Sequence, residues 1–181
     1  MRKLKNSELT RKTVEEFKGT SKYPVAVVLD NVRSLNNVGS VFRTSDAFLV
    51  DRVCLCGITA QPPHREIHKT ALGATDSVDW EYFKNTMDAL LMLRKEGYLI
   101  FSVEQTENSL RLPDFIPRKD DKYALIFGHE VKGVHQDIVN QSDGCIEIPQ
   151  CGTKHSFNIS VSVGIVLYHF FWHYNTHWLD K

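Results

Sequence analysis

Short apolar runs rich in β-branched and aromatic residues recur at residues 25–29, 53–55, 98–103, 123–127 and 145–148. Each has the length and composition of a strand buried on both faces, since a strand covered on one face only would alternate polar and apolar positions. Between these runs the apolar spacing changes to the helical period. Residues 37–48 place Val38, Val41, Phe42 and Ser45 before Phe48 and Leu49. Residues 85–96 carry Met87, Leu90, Leu91 and Leu93 behind a Thr and an Asp suited to a first turn. Residues 158–174 are the longest such segment, with Ile159, Val163, Val166, Leu167, Phe170 and Phe171 on one broad face. Strands alternating with helices predict an α/β fold, a mostly parallel sheet flanked by helices on both faces. Residues 1–22 depart from this pattern. They are polar, with Leu4, Leu9, Val14 and Phe17 at loose helical spacing, and read as a basic N-terminal helix or arm ahead of one domain at 23–181.

With 181 residues, of which 42% are hydrophobic, the chain is long enough for one core of its own. Its composition excludes collagen-like, disordered and disulfide-scaffold classes. No apolar run approaches the ~20 residues that span a bilayer, and the basic N-terminus has no apolar stretch behind it, so a cytoplasmic protein without a membrane partner is expected. Cys54, Cys56, Cys145 and Cys151 fit buried thiols in a reducing compartment. Lys and Arg (22) balance Asp and Glu (22), which argues against a polyanion partner. The average hides a gradient, however. Residues 1–22 carry seven basic against three acidic side chains, a net +4, and the other 159 residues carry fifteen against nineteen, a net −4.

Polar and glycine residues gather in three loops that follow predicted strands, where ligands of open parallel sheets sit. The first loop, residues 30–43, ends in Asn36-Asn37-Val38-Gly39 and Arg43. Asn36 or Asn37 is suited to cap the coming helix, and Gly39 lets a backbone or ligand approach closely. Arg43 lies six residues beyond Asn37, about 240° round a helix, so the two converge only if Asn37 sits in the loop-to-helix transition. The second loop, Gly128-His129-Glu130-Val131-Lys132-Gly133, brackets an acid with glycines. In the third, residues 148–160, Ser156, Asn158 and Ser160 are each suited to capping the last helix. Neither G-x-G-x-x-G nor G-x-x-x-x-G-K-[ST] occurs, which speaks against dinucleotide-binding and P-loop enzymes.

In order and separation the three loops resemble the motifs of the TrmH (SpoU) branch of the SPOUT RNA methyltransferases. Asn37-Val38-Gly39-Ser40-Val41-Phe42-Arg43-Thr44-Ser45-Asp46-Ala47-Phe48 is similar to N-x-G-x-x-x-R-T-[AS]-x-A-F, Gly128 to Gly133 resembles G-x-E-x-x-G, and Ile148-Pro149-Gln150 with Ser156-Phe157-Asn158-Ile159-Ser160 resembles I-P-[MQ] and S-[LM]-N-[VL]-S. Phe157 replaces the usual Leu or Met and keeps that position apolar. The resemblance implies a SPOUT-type domain with a C-terminal trefoil knot, acting as a homodimer on tRNA or rRNA. The implied reaction transfers a methyl group from S-adenosyl-L-methionine to a ribose 2′-hydroxyl. Arg43 is then the central catalytic residue. A guanidinium holds its proton too tightly to be a base, so its expected role is to orient the target phosphate and stabilise the developing alkoxide. Asn37 and Asn158 would position the ribose and hold Arg43, Ser156 would lie against the methyl donor or the phosphate, and Glu130 would fasten the loops. The base stays open between the phosphate, Glu130 and His129. Val103, Glu104, Gly128, Ile148, Ser156 and Phe157 are the expected cofactor contacts.

The residues leave two other readings to compare, a metal site and a protein without catalysis. Cys54 and Cys56 share a strand face, His64 and His68 are four apart, and none of these spacings is that of a zinc site, so no metal is expected. The second is a non-catalytic RNA-binding protein of the same fold. The aromatic run 170–174 with Trp178 suits either core packing or a dimer interface.

Overall fold

The computed structural model describes residues 1–175, which leaves Trp178 outside the described residues. After a 3-10 turn at Asn6–Glu8 the chain forms α1 (Val14–Gly19), β1 (Tyr23–Asp30), α2 (Leu35–Ala47), β2 (Val50–Cys56), α3 (Arg65–Ala71), α4 (Ala74–Ser77), β3 (Asp79–Phe83) and α5 (Thr86–Lys95). It continues through β4 (Tyr98–Val103), β5 (Leu110–Arg111), a second 3-10 turn (Leu112–Asp114), β6 (Lys122–Phe127), α6 (Gln136–Gln141), β7 (Gly144–Glu147) and α7 (Ile159–Tyr174). The strands form one sheet in the order β3-β2-β1-β6-β4-β7-β5, and every pairing is parallel. β7 lies between β4 and β5, which residues 104–109 join directly.

Both sheet faces are covered. Along β1, Val25, Val27 and Leu29 pack with Val38, Val41 and Phe42 of α2, Ile67 of α3 and Val163, Val166 and Phe170 of α7. Ala26 and Val28 turn to the opposite layer with Leu90 and Leu93 of α5 and Ile138 of α6. Burial on both sides explains the uninterrupted apolar runs at β1 and β6. Cys54 and Cys56 lie buried in that second layer, where loss of solvation pushes the Cys54 thiol up to about 12 and raises Cys56 as well.

The structure adds elements that the apolar runs did not reveal. β3 is an edge strand whose residues stay largely accessible, so it lacks the apolar run that marks the central strands. β5 is two residues long, and α3, α4 and α6 span seven, four and six residues, too short for a helical period to register. In the N-terminal segment Thr13 and Glu16 form a reciprocal cap on α1, and Phe17, 4% exposed, enters the core.

Candidate active site at the carboxyl edge of the sheet

A parallel sheet puts the loops after β1, β4, β6 and β7 on the same edge, and three of them meet there. Ser34, not Asn36 or Asn37, caps α2, its hydroxyl accepting the Asn37 N–H at 3.3 Å. Several residues there have capping side chains, and the extended backbone at Ser34 decides between them. Asn37 therefore lies inside the first turn rather than in the loop.

The second loop closes on itself, with His129 N–H to Gly133 O at 3.0 Å and Gly133 N–H to His129 O at 2.8 Å. A Cβ on Gly128 would come within 2.1 Å of the Gly133 and Val134 backbone. A Cβ on Gly133 would meet Glu104 Oε2 at 2.2 Å, and that oxygen instead accepts the Val134 N–H at 3.0 Å. His129 Nδ1 accepts the Val131 N–H at 3.0 Å, which assigns the ring proton to Nε2 and leaves the imidazole no spare lone pair for a base.

Glu130 reaches across to the first loop. Its carboxylate accepts the Arg33 N–H (3.1 Å), the Ser34 N–H (2.9 Å) and the Asn37 side-chain amide (3.1 Å). Partial burial alone would raise its pKa. The N–H groups of Arg33, Ser34 and Glu130 itself, with the Asn37 amide, outweigh burial and hold the carboxyl below its ordinary value. Asn37 Oδ1 in turn accepts from Asn158 Nδ2 at 3.2 Å, and Asn158 Oδ1 caps α7 by accepting the Ser160 N–H (2.9 Å) and hydroxyl (2.7 Å). A line of donors thus runs from the third loop through the first to Glu130 in the second. It joins residues 121 and 93 positions apart in sequence.

Arg43 stands outside this network. Its side chain is exposed and has no hydrogen bond or ion pair among the described residues, and neither Asn37 nor Asn158 holds it. The reason is helical phase: with Asn37 already in the helix, six residues carry Arg43 to another face of α2.

Beside the network lies a cavity of about 470 Å³, within the range of small-molecule sites. Val103, Glu104, Gly128, Ile148, Ser156 and Phe157 all line it, as do Glu130 and His129. Phe127, Val139 and Ile146 add apolar wall, and Phe157 stands 41% exposed at the rim. Gln105, Thr106 and Glu147 also line it and were missed in the sequence, although Gln105 and Glu147 directly adjoin the anticipated Glu104 and Ile148. Gln105 ties the β4 loop to the third loop through the His155 carbonyl at 2.9 Å. Buried Asp30 was missed too. Its carboxylate accepts from Thr86 Oγ1 at 2.5 Å and the His135 N–H at 2.9 Å, joining β1 to α5 and α6, and the signal for it is an acid ending an apolar strand.

The profile of the SpoU rRNA Methylase family matches residues 24–168. The chain belongs to the SpoU family. An uncharacterized tRNA/rRNA methyltransferase of Borreliella burgdorferi is 30% identical over 145 residues, covering 78% of this chain and 61% of that protein. A tRNA (guanosine(18)-2′-O)-methyltransferase of Thermus thermophilus is 25% identical over 162 residues, covering 90% and 81%. The AdoMet-bound rRNA methyltransferase structure from Sinorhizobium meliloti shares the fold with a TM-score of 0.78 at 24% identity, over 87% of this chain and 60% of that one. This SpoU-family chain therefore spans about three fifths of the length of the Borreliella and Sinorhizobium proteins. Among the described residues no helix is long and apolar enough to cross a membrane. No three His, Cys, Asp or Glu side chains there are grouped to hold a metal ion.

Proposed function

We propose that the protein is an RNA methyltransferase that transfers the methyl group of S-adenosyl-L-methionine to a ribose 2′-hydroxyl of tRNA or rRNA. One observation carries the reading: the cavity formed where three sequence-distant loops meet, locked by Glu130, Asn37 and Asn158. The residues present fit the cofactor. The cavity is large enough for a nucleoside with an amino-acid tail, offers apolar surface at Ile148, Phe157 and Val139 for a purine, and has Gly128 in its wall. When bound there, the cofactor supplies an electrophilic methyl group.

The chain's own residues have the following roles. Val103, Glu104, Gly128, Ile148, Ser156 and Phe157 hold the cofactor, with Glu104 also bracing the loop through Val134. Glu130 fixes the first loop against the second, so the Asn37 and Asn158 amides are oriented before substrate arrives. Arg43, exposed and without a partner among the described residues, is available to hold the target phosphate and stabilise the forming alkoxide. The hydroxyl proton departs through that phosphate, since Glu130 and His129 are engaged by N–H groups.

The same reading includes a homodimer in the cytoplasm. Val161, Tyr168 and Trp172 form an exposed stripe on α7, the last two 54% and 43% exposed, and such a stripe suits self-association. The seating of β7 between two directly joined strands supports a knotted closure. The N-terminal segment 1–22 is proposed to reach RNA phosphates through the basic side chains of residues 1–12, ahead of the helix that seats Phe17 in the core.

Calorimetry with S-adenosyl-L-methionine, followed by mapping of 2′-O-methyl groups in RNA from cells with and without the gene, tests the assignment. Uptake of one equivalent and loss of a mapped ribose methylation are expected. A chain that binds RNA without taking up the cofactor is the non-catalytic alternative.

A further inference from the structure

A second cavity, about 570 Å³, opens among the segment after β2, α3, α4 and the start of β3. Its lining includes Pro62, His64, Arg65, His68, Asp76 and Trp80. These walls are not those of an underpacked core, because His64, Arg65, His68 and Asp76 are all exposed. The Arg65, His68 and Trp80 side chains have no hydrogen-bond partner among the described residues. His64 Nδ1 accepts the Glu66 N–H at 3.2 Å, which places its proton on Nε2 as a further uncommitted donor. An indole, a guanidinium, two imidazoles and one carboxylate lining a single cavity are the chemistry that receives a base on an aromatic face and a phosphate on N–H donors.

The cavity is also fixed to the first site. Asn31 Oδ1 accepts the Ile58 N–H (3.2 Å), and Thr59 Oγ1 accepts the Val32 N–H (2.9 Å) while donating to Leu29 O (3.1 Å). Thr70 Oγ1 of α3 donates to Asn36 O at 3.1 Å. The segment carrying His64 to His68 is therefore bonded to the same 30–36 loop whose N–H groups hold Glu130. We infer that this second cavity is a subsite for one nucleotide of the RNA, flanking the nucleotide whose ribose enters the first site, with the base against Trp80 and the phosphate on Arg65 and His64. The inference rests on the methyltransferase reading for its RNA, while its test is independent of methyl transfer.

The full chain, with S-adenosylhomocysteine present, is titrated with uridine 5′-monophosphate while the imidazole resonances of His64 and His68 are followed by NMR. Both are expected to shift. Filter binding with a pool of tRNA then compares the wild type with the Arg65→Ala/His68→Ala pair, both exposed positions that leave the fold intact. The pair is expected to weaken RNA binding about fivefold or more, with affinity for S-adenosyl-L-methionine unchanged. Trp80→Leu is expected to do the same. Because Trp80 also packs on the core, the Arg65/His68 pair decides if that variant melts early. Unmoved imidazole resonances, or unchanged RNA affinity in the pair, would overturn the subsite. Failure of the methyltransferase reading would instead appear as no uptake of S-adenosyl-L-methionine.

Discussion

Glu130 and Arg43 divide the proposed site between a residue that is held and one that has no partner among the described residues. The Glu130 carboxylate accepts three N–H groups from the first loop, and its depressed pKa is the electrostatic signature of that hold. A group whose folded pKa is lowered contributes stability that is present above its unfolded pKa and lost as pH falls through the folded one. The loss from Glu130 thus begins near the ordinary carboxylate range and is complete only below it. Glu130→Gln leaves one of the Arg33 and Ser34 donors without its acceptor, and solvent screening at this half-buried position limits the cost at neutral pH to about 1 kcal/mol. Thermal melting from pH 7 to pH 3 checks both the loss and the flatter acid limb expected of the variant. Arg43→Ala has the opposite profile. With no partner to lose among the described residues, it is expected to change stability by less than about 0.5 kcal/mol and to leave cofactor affinity intact. Methyl transfer falls about 100-fold or more, the scale on which removing one stabiliser of a developing oxyanion acts. Single-turnover transfer from labelled cofactor measures it, and a normal rate would remove Arg43 from the mechanism.

The first loop is held in place by the packing of α2 on α3. Gly39 lies where those helices touch, and a Cβ there would stand 2.1 Å from Thr70 Oγ1 and 2.3 Å from Ile67 O. The close approach that a glycine at this position permits is thus made by another backbone, not by a ligand. Gly39→Ala is expected to destabilise the fold by about 2–3 kcal/mol through overpacking. Adding Thr70→Ala should not restore it, because the Ile67 carbonyl remains in the way. Denaturant unfolding of the two variants decides this, and a full rescue would mean that the hydroxyl alone sets the spacing. Because Ser34, the N-cap of α2, donates its N–H to the Glu130 carboxylate, the same substitution is expected to weaken cofactor binding as well.

For the whole molecule, the structure changes what the charge gradient means. The net +4 of the N-terminal segment lies wholly in residues 1–12, five basic against one acidic side chain, whereas residues 13–22 are balanced and carry Phe17 into the core. Removing residues 1–12 is expected to weaken RNA binding and lower its salt dependence without changing the melting temperature. Removing 1–22 should in addition uncover the Phe17 site and cost about 2–4 kcal/mol, in the range of large core truncations. Equal melting temperatures for the two truncations would show that Phe17 contributes nothing to the core. Much of this architecture is legible in the chain, and what is legible follows a physical rule. β1 and β6 announce themselves because burial on both faces demands unbroken apolar runs, and α7 because a long helix repeats its period several times. β3 escapes because an accessible edge strand imposes no such run. The cap of α2 escapes because Ser34, Asn36 and Asn37 have equivalent capping chemistry and only the backbone turn separates them. Residues of the proposed site can be named from the sequence because three short loops resemble the family's motifs in order, whereas the glycines, capping amides and bracketed acid taken singly are those of ordinary caps and turns. Their relations cannot be read that way. That Glu130 meets Arg33, Ser34 and Asn37, that Asn158 meets Asn37, and that Arg43 faces solvent depend on parallel strands bringing distant loops to one edge and on the phase of a helix once packed, both fixed only when the chain closes on its core.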